Sequence, residues 1–226
     1  MAKKKKKRKL KIKNIIIALF ILVLVGNFIY VILKLPIKNI YVINNNIISD
    51  LEIMELSGVS EYPSFLLTTG SSIKNKLMKN EYISSVKVSK KWWGRLYIYI
   101  EEYNPICRSI LDDKVILSSG EIVDNNYNIM DVPILLNDIP NDIYANFIKK
   151  FNLIDKDTLL QVSEIEYSPV NVDKERFYLS MNDGNYVYVT LTKIKRLNKY
   201  AEIREEMENK HGIIYLDSGN YIEIKD

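Results

Sequence analysis

Hydrophobic and polar positions fall into three regimes along the chain. Residues 15–33, IIIALFILVLVGNFIYVIL, are apolar almost without interruption. A run of about twenty such residues is what a helix needs to cross a hydrocarbon core of roughly 30 Å. A secretory leader has a shorter apolar region and a small-residue cleavage site, and no A-x-A-like site closes this run. The pattern predicts an uncleaved membrane-spanning signal-anchor over 14–33. Gly26 and Asn27 interrupt it, a pair suited to contact with a second helix; a single tolerated amide is the alternative.

From residue 37 the pattern becomes mixed. IKNIYVIN places Ile40 and Val42 on one face and Tyr41 and Ile43 on the other, as in a strand. The NNN that follows predicts a turn. SDLEIMELSG predicts a short helix, with Ser49 and Glu52 at capping-box spacing, an apolar face of Leu51, Ile53 and Leu56, and Gly58 at its end. SSIKNKLMKN predicts a second, with Ile73, Leu77 and Met78 on one face. EYISSVKVSKKWWGRLYIYIEE then gives two strands around a Trp-Trp-Gly corner. The order β-α-α-β-β predicts a compact α+β domain over 37–104.

The third regime, 105–226, is mostly strand-like. CRSILDDKVILSSGEIVDNN predicts hairpin strands, 141–154 a helix with Ile143, Phe147, Ile148 and Phe151 on one face, and 157–170 a strand. RFYLSMNDGNYVYVTL predicts two strands joined by the Asn-Asp-Gly turn at 182–184. Residues 193–210 predict an amphipathic helix with Ile194, Leu197, Tyr200 and Ala201 at helical spacing. GIIYLDSGNYIEIKD closes the chain as a strand pair around Asp217, Ser218 and Gly219.

Charge changes this picture in one respect. The formal net charge is +4, yet nine of the 32 cationic residues lie between Lys3 and Lys13, with no acid among them. The remainder is mildly acidic. A cationic tail of residues 1–13 sets that end of the span in the cytoplasm and the rest outside. The acidic body argues against nucleic-acid binding, which needs a dense basic surface. One cysteine and one histidine exclude an intrachain disulfide or a Cys/His metal cluster. His211 has no nucleophile in a recognisable frame. Cys107 reads as a small buried hydrophobe. Acidic pairs such as Asp112-Asp113 read as turn residues. No phosphate-binding glycine loop occurs. No catalytic, cofactor, metal or small-molecule site is expected.

The stretch IKNIYVINNNIIS…EIMELSGV…KVSKKWWGRLYIYIEEYNP, directly after a signal-anchor, resembles the POTRA domain of the FtsQ/DivIB family of bacterial cell-division proteins. Family members read V-x-G-N-x-x-[ST]-x-x-E-I, then a Trp-Pro-x-x-Leu corner, then V-x-E-x-x-P. Here Asn44 and Asn45 stand where Gly-Asn is usual. Trp92 matches the tryptophan, Trp93 takes the place of the proline, Leu96 matches the leucine, and Glu102 and Pro105 match the ending. The likeness continues through LSSGEIV at 117–123, with Ser118 for the usual Asp, and VPIL at 132–135.

The corner formed by Trp92, Gly94, Leu96, Glu102 and Pro105 is expected to be structural, with a tryptophan packed over the hairpin end. A lipid-dipping tip ringed by Lys90, Lys91 and Arg95 is the alternative; a base-stacking platform is opposed by Glu101 and Glu102. The resemblance implies a POTRA domain followed by a mostly β domain with flanking helices. It further implies a single-pass divisome scaffold at the septum, which binds partners outside the cytoplasm and helps control septal peptidoglycan synthesis. Implied partners are FtsL-like and DivIC/FtsB-like coiled-coil proteins and the septal transpeptidase machinery, besides the lipid bilayer. Strand addition at the C-terminal edge is the expected mode, with Tyr200, Tyr215, Leu216, Asp217, Ser218, Gly219, Tyr221, Ile222 and Ile224 as candidate contacts within 215–225 and the preceding helix. An ordinary final strand is the alternative at this edge. An accessory subunit of another envelope system is the competing function.

Overall fold

The computed structural model describes residues 12–208, 210–219 and 221–224. The cationic tail up to residue 11, and Lys225 of the candidate edge, lie outside the described residues. The chain divides into two compact units, residues 1–101 and 102–226.

The first unit opens with helix α1, Ile12–Leu33. It has the length and composition of a membrane span, and none of its residues is buried. The chain continues through β1 (Asn39–Ile43), α2 (Asp50–Ser57), α3 (Gly70–Leu77), β2 (Ile83–Lys91) and β3 (Arg95–Glu102). The three strands form a sheet in the order β1-β3-β2, with β1 parallel to β3. Ile98 and Ile100 are fully buried with Ile53, Ile73 and Leu77 of the two helices, while Tyr97 stacks on Tyr41 at 4.7 Å on the other face.

The local signals have identifiable causes. The Ser49 hydroxyl accepts from the Glu52 N–H and Gly58 closes α2 at φ 71°. Asn44, where the family carries glycine, has φ 69°, a left-handed conformation that asparagine tolerates better than most residues. Two expected apolar positions of α2 do not reach the core: Leu51 is exposed and Leu56 is at the surface, so Ile53 anchors that helix. Met78 ends α3 as its C-cap and is exposed rather than packed.

The second unit carries a nine-stranded sheet. Its elements are β4 (Pro105–Ser109), β5 (Lys114–Leu117), β6 (Ile122–Asp124), β7 (Ile134–Leu135), α4 (Asn141–Phe151), α5 (Lys156–Leu159), β8 (Val162–Tyr167), β9 (Arg176–Met181), β10 (Tyr186–Thr190), a 3-10 segment (Leu191–Lys199), α6 (Tyr200–Glu206), β11 (Gly212–Tyr215) and β12 (Tyr221–Ile224). The strand order is β12-β11-β10-β9-β8-β7-β4-β5-β6. One face buries Ile165, Phe177, Leu179, Val187, Val189 and Ile214 against α4 and the 3-10 segment. Phe147 of α4 lies 5.4 Å from Phe177. Cys107 is fully buried in this core, where burial drives its thiol pKa far up, so it behaves as a small hydrophobe.

The second unit departs from expectation in two places. Residues 156–159 form a helical turn, and the strand starts only at Val162. The helix expected over 193–210 begins instead as nine residues of 3-10 helix. Leu191, Ile194, Leu197 and Tyr200 are all buried and three residues apart. At three residues per turn they stack in one line, so the core contact selects the tighter helix.

The corner between β2 and β3 also differs. Trp92 and Trp93 are 87% and 81% exposed, so neither ring packs over the hairpin end. Trp93 has φ 71°, which a proline ring forbids, so this corner cannot be a proline turn. Leu96 is buried and Gly94 is held at φ 75°. The Gly94 carbonyl accepts from the Lys38 N–H at 2.8 Å, and a Cβ on Gly94 would lie 3.2 Å from the Pro36 carbonyl and the Lys38 nitrogen. Gly94→Ala should therefore cost about 2 kcal/mol through backbone strain and crowding. Urea denaturation of the full chain checks this, with Trp92→Ala as a comparison expected to fall within about 0.5 kcal/mol of the parent.

Candidate functional site

Strand β12 lies at one end of the large sheet. Its inner edge pairs antiparallel with β11, Tyr215 opposite Tyr221 and Gly212 opposite Ile224. Its outer edge has no strand neighbour among the described residues. Close approach of β12 depends on Gly212, where a Cβ would stand 2.4 Å from the Glu223 carbonyl oxygen.

Alternation in β9 to β12 puts apolar side chains inward and tyrosines outward. Register then aligns the tyrosines, with Tyr178 opposite Tyr188, Tyr188 opposite Tyr215, and Tyr215 opposite Tyr221. Successive ring centroids are 4.6, 5.4 and 4.3 Å apart. Tyr186 joins the row by stacking on Tyr178. Such cross-strand aromatic pairs contribute roughly 0.2–1 kcal/mol each. The Tyr215 hydroxyl donates to Glu223 Oε2, and that bond raises its pKa. On the other flank of β12 is a groove of about 400 Å³, floored by Ile203, Ile214, Leu216 and Ile222 and rimmed by Arg196, Lys199, Glu202 and Glu206. The terminal strand thus offers an open main-chain edge between an aromatic face and a charged-rimmed apolar groove.

The turn before β12 is held by an ion pair. Arg176 Nε donates to Asp217 Oδ2 at 2.7 Å, both side chains being largely buried, and the guanidinium lies 3.7 Å from the Tyr188 ring centre. Lys193 Nζ donates to the Asp217 carbonyl. Burial alone would raise the Asp217 carboxyl, but the Arg176 bond, the Ser218 N–H and the Ser218 hydroxyl hold it below the ordinary range.

Of the candidate contacts, Tyr221, Ile224 and Ser218 are exposed, and Tyr215, Gly219 and Ile222 are half-buried. Leu216 is buried in the floor of the groove. Asp217 is engaged within the fold. Tyr200 is a correction: it is 1% exposed and unavailable to a partner. Its hydroxyl donates to the Asp183 carboxylate at 2.7 Å and accepts from Asn185 Nδ2 at 3.0 Å. Burial, then the Asp183 bond, raises its pKa strongly. Tyr178, Tyr188 and Arg176 were not among the candidates. The alternation YVYVT shows that Tyr186 and Tyr188 share a face, but their neighbours depend on non-local register. The described residues hold no cluster of three metal-ligating side chains.

The chain is similar to known proteins in sequence. The model of the FtsQ-type POTRA domain matches residues 35–103. Cell division protein DivIB of Bacillus subtilis (strain 168) is 30% identical over 222 residues, covering 93% of this chain and 82% of the relative. Cell division protein DivIB of Bacillus anthracis is 28% identical over 191 residues, covering 82% and 72%. The major extracytoplasmic domain of DivIB from Geobacillus stearothermophilus superposes with a TM-score of 0.40 at 22% identity, over 48% of this chain and 97% of that one.

The Asp217 pair makes a testable contribution. Its carboxyl is depressed on folding, so its stabilisation is complete above the ordinary carboxylate pKa of about 3.9 and is lost as pH falls through the lower folded value. Asp217→Asn should lower the unfolding free energy by about 2 kcal/mol at neutral pH. Urea denaturation at a series of pH values should show the gap between variant and parent closing in acid; a gap independent of pH would exclude this origin.

Proposed function

This chain belongs to the DivIB family of cell-division proteins, and from that premise we propose that it acts by binding other division proteins at β12 rather than by catalysis. In this reading residues 1–13 are a cytoplasmic tail and 14–33 a single membrane anchor. The POTRA domain of 37–104 and the β domain of 105–226 lie outside the cytoplasm at the division septum. The nine tail cations against Lys34 and Lys38 beyond the span support that orientation.

The observation that carries the proposal is the open edge of β12, flanked by the tyrosine row and the groove. An extended partner segment adding to this edge makes main-chain bonds with β12. Its alternate side chains then fall on the tyrosine face and toward the groove. Tyrosine supplies contact area at low entropic cost and is enriched at interfaces. The partners are the FtsL-like and DivIC/FtsB-like coiled-coil proteins and, through them, the septal transpeptidase machinery, so that recruitment regulates septal peptidoglycan synthesis.

Capture of these partners by the full chain in detergent tests the reading. Gly212→Ala is expected to displace β12 and reduce capture at least about tenfold, a loss of roughly 1.4 kcal/mol. Ile122→Asp, an exposed change on β6 at the opposite sheet edge, is expected to leave capture unchanged. The reverse pattern would move the binding edge to β6, and failure to capture any division protein would overturn the proposal.

A further inference from the structure

We propose that the β2–β3 corner and the loop after α2 form a foot that rests in the membrane interface, with Trp92 and Trp93 inserted among lipid headgroups. The inference begins at the end of α1. The Leu33 carbonyl accepts from the Ser64 hydroxyl, and the Leu35 carbonyl accepts from the Phe65 N–H at 2.8 Å. The Ile37 N–H donates to the Pro63 carbonyl at 2.9 Å, and the Lys38 N–H donates to the Gly94 carbonyl at 2.8 Å. Leu33 at the end of the span and Leu35 and Ile37 beyond it are thus bonded to the 63–65 loop, and Lys38 to the tryptophan turn. Lys90 fastens these two together, donating to the Phe65 and Thr68 carbonyls with its ammonium over the Phe65 ring. The tip is tied to the point where the span leaves hydrocarbon.

What this tie brings together is apolar and cationic. Leu35, Leu66, Leu67, Trp92 and Trp93 are all exposed. Lys34, Lys38, Lys91 and Arg95 are exposed beside them, and residues 33–39, 62–68 and 90–95 contain no acid. Exposed apolar patches of this kind mark interaction surfaces. Continuity with the span selects the occupant, because the bilayer that holds α1 begins where this patch begins. Indole rings partition to the headgroup region, and each nearby cation is attracted to anionic lipid. The corner gains nothing for the core from either ring, and Trp93 holds a left-handed φ that disfavours a bulky residue. Lipid contact accounts for two tryptophans at a position where packing does not.

Trp92 and Trp93 are the two tryptophans of the chain, so tryptophan emission reports on the tip alone. The full chain is reconstituted into phosphatidylcholine–phosphatidylglycerol vesicles, with and without brominated acyl chains near the headgroups. The expected result is emission shifted to the blue of water-exposed indole, loss of most of that emission to the bromolipids, and weak quenching by aqueous acrylamide. Water-like emission insensitive to bromolipid would overturn the proposal. So would blue-shifted emission insensitive to bromolipid, which would mean that the rings are covered by protein, such as a second copy. The Lys91→Glu, Arg95→Glu variant keeps both probes and should lose much of its bromolipid quenching; full retention would remove the cations from the inferred contact. Circular dichroism matching the parent verifies that this variant is folded.

Discussion

The edge strand depends on a buried amide. Strands β10 and β11 are parallel neighbours, so the chain must cross over before β11 can pair. The crossover is the 3-10 segment and α6, and Asn185 fastens its return. Asn185 is 2% exposed, donates to the Tyr200 hydroxyl, and accepts from the Gly212 N–H at 2.9 Å. Tyr200 in turn donates to Asp183 in the turn between β9 and β10. Three elements distant in sequence meet at one side chain. A buried amide left unpaired costs a few kcal/mol, so the arrangement in which all of these groups are satisfied is strongly preferred. It sets where β11 begins beside β10, and among the described residues β12 pairs with β11 alone.

Features encoded within a few residues were legible in the sequence. The apolar span, the Ser49 cap and the Asn-Asp-Gly hairpin each carry their own physical cause. The tighter helix was half visible. Ile194, Leu197 and Tyr200 fall on one line at a period of 3.0 and spread over about 120° at 3.6, still within an amphipathic face; adding Leu191 widens that spread to about 180°, which decides for three. Tyr200 shows the opposite limit. Its place on an amphipathic segment is readable, but the side that is covered depends on the parallel pairing of β10 with β11 and on the Asn185 side chain that accepts from the Gly212 N–H. The tryptophan corner was read through its family pattern, which implies packing. The left-handed backbone at Trp93 and the exposure of both rings are properties of this chain's own turn.

Open edges invite unwanted pairing, and proteins blunt them with short strands, charges or cover. The two ends of the large sheet differ in this respect. Strand β6 has three residues and ends in Asp124. Strand β12 has four, and its single acidic side chain, Glu223, is engaged by Tyr215. The charge that would protect this edge is drawn back onto the tyrosine face, as the proposed strand addition requires.

Main-chain pairing alone is too weak for a stable complex at so short an edge. Four residues provide about four hydrogen bonds at a net value near 1 kcal/mol each. Association costs on the order of 4–15 kcal/mol in lost freedom. The deficit has to be met by side chains, and a strand laid on β12 has two surfaces on which to meet it. The tyrosine row offers rings already stacked on one another, so little rotamer entropy remains to be lost. The groove offers Ile203, Ile214 and Ile222 inside a charged rim, where burial of one or two aliphatic side chains contributes about 1.5–3 kcal/mol each. In the proposed strand addition, the partner's alternation, apolar toward the groove and complementary to tyrosine on the other face, would determine which segment binds, while the open backbone would determine where it lies.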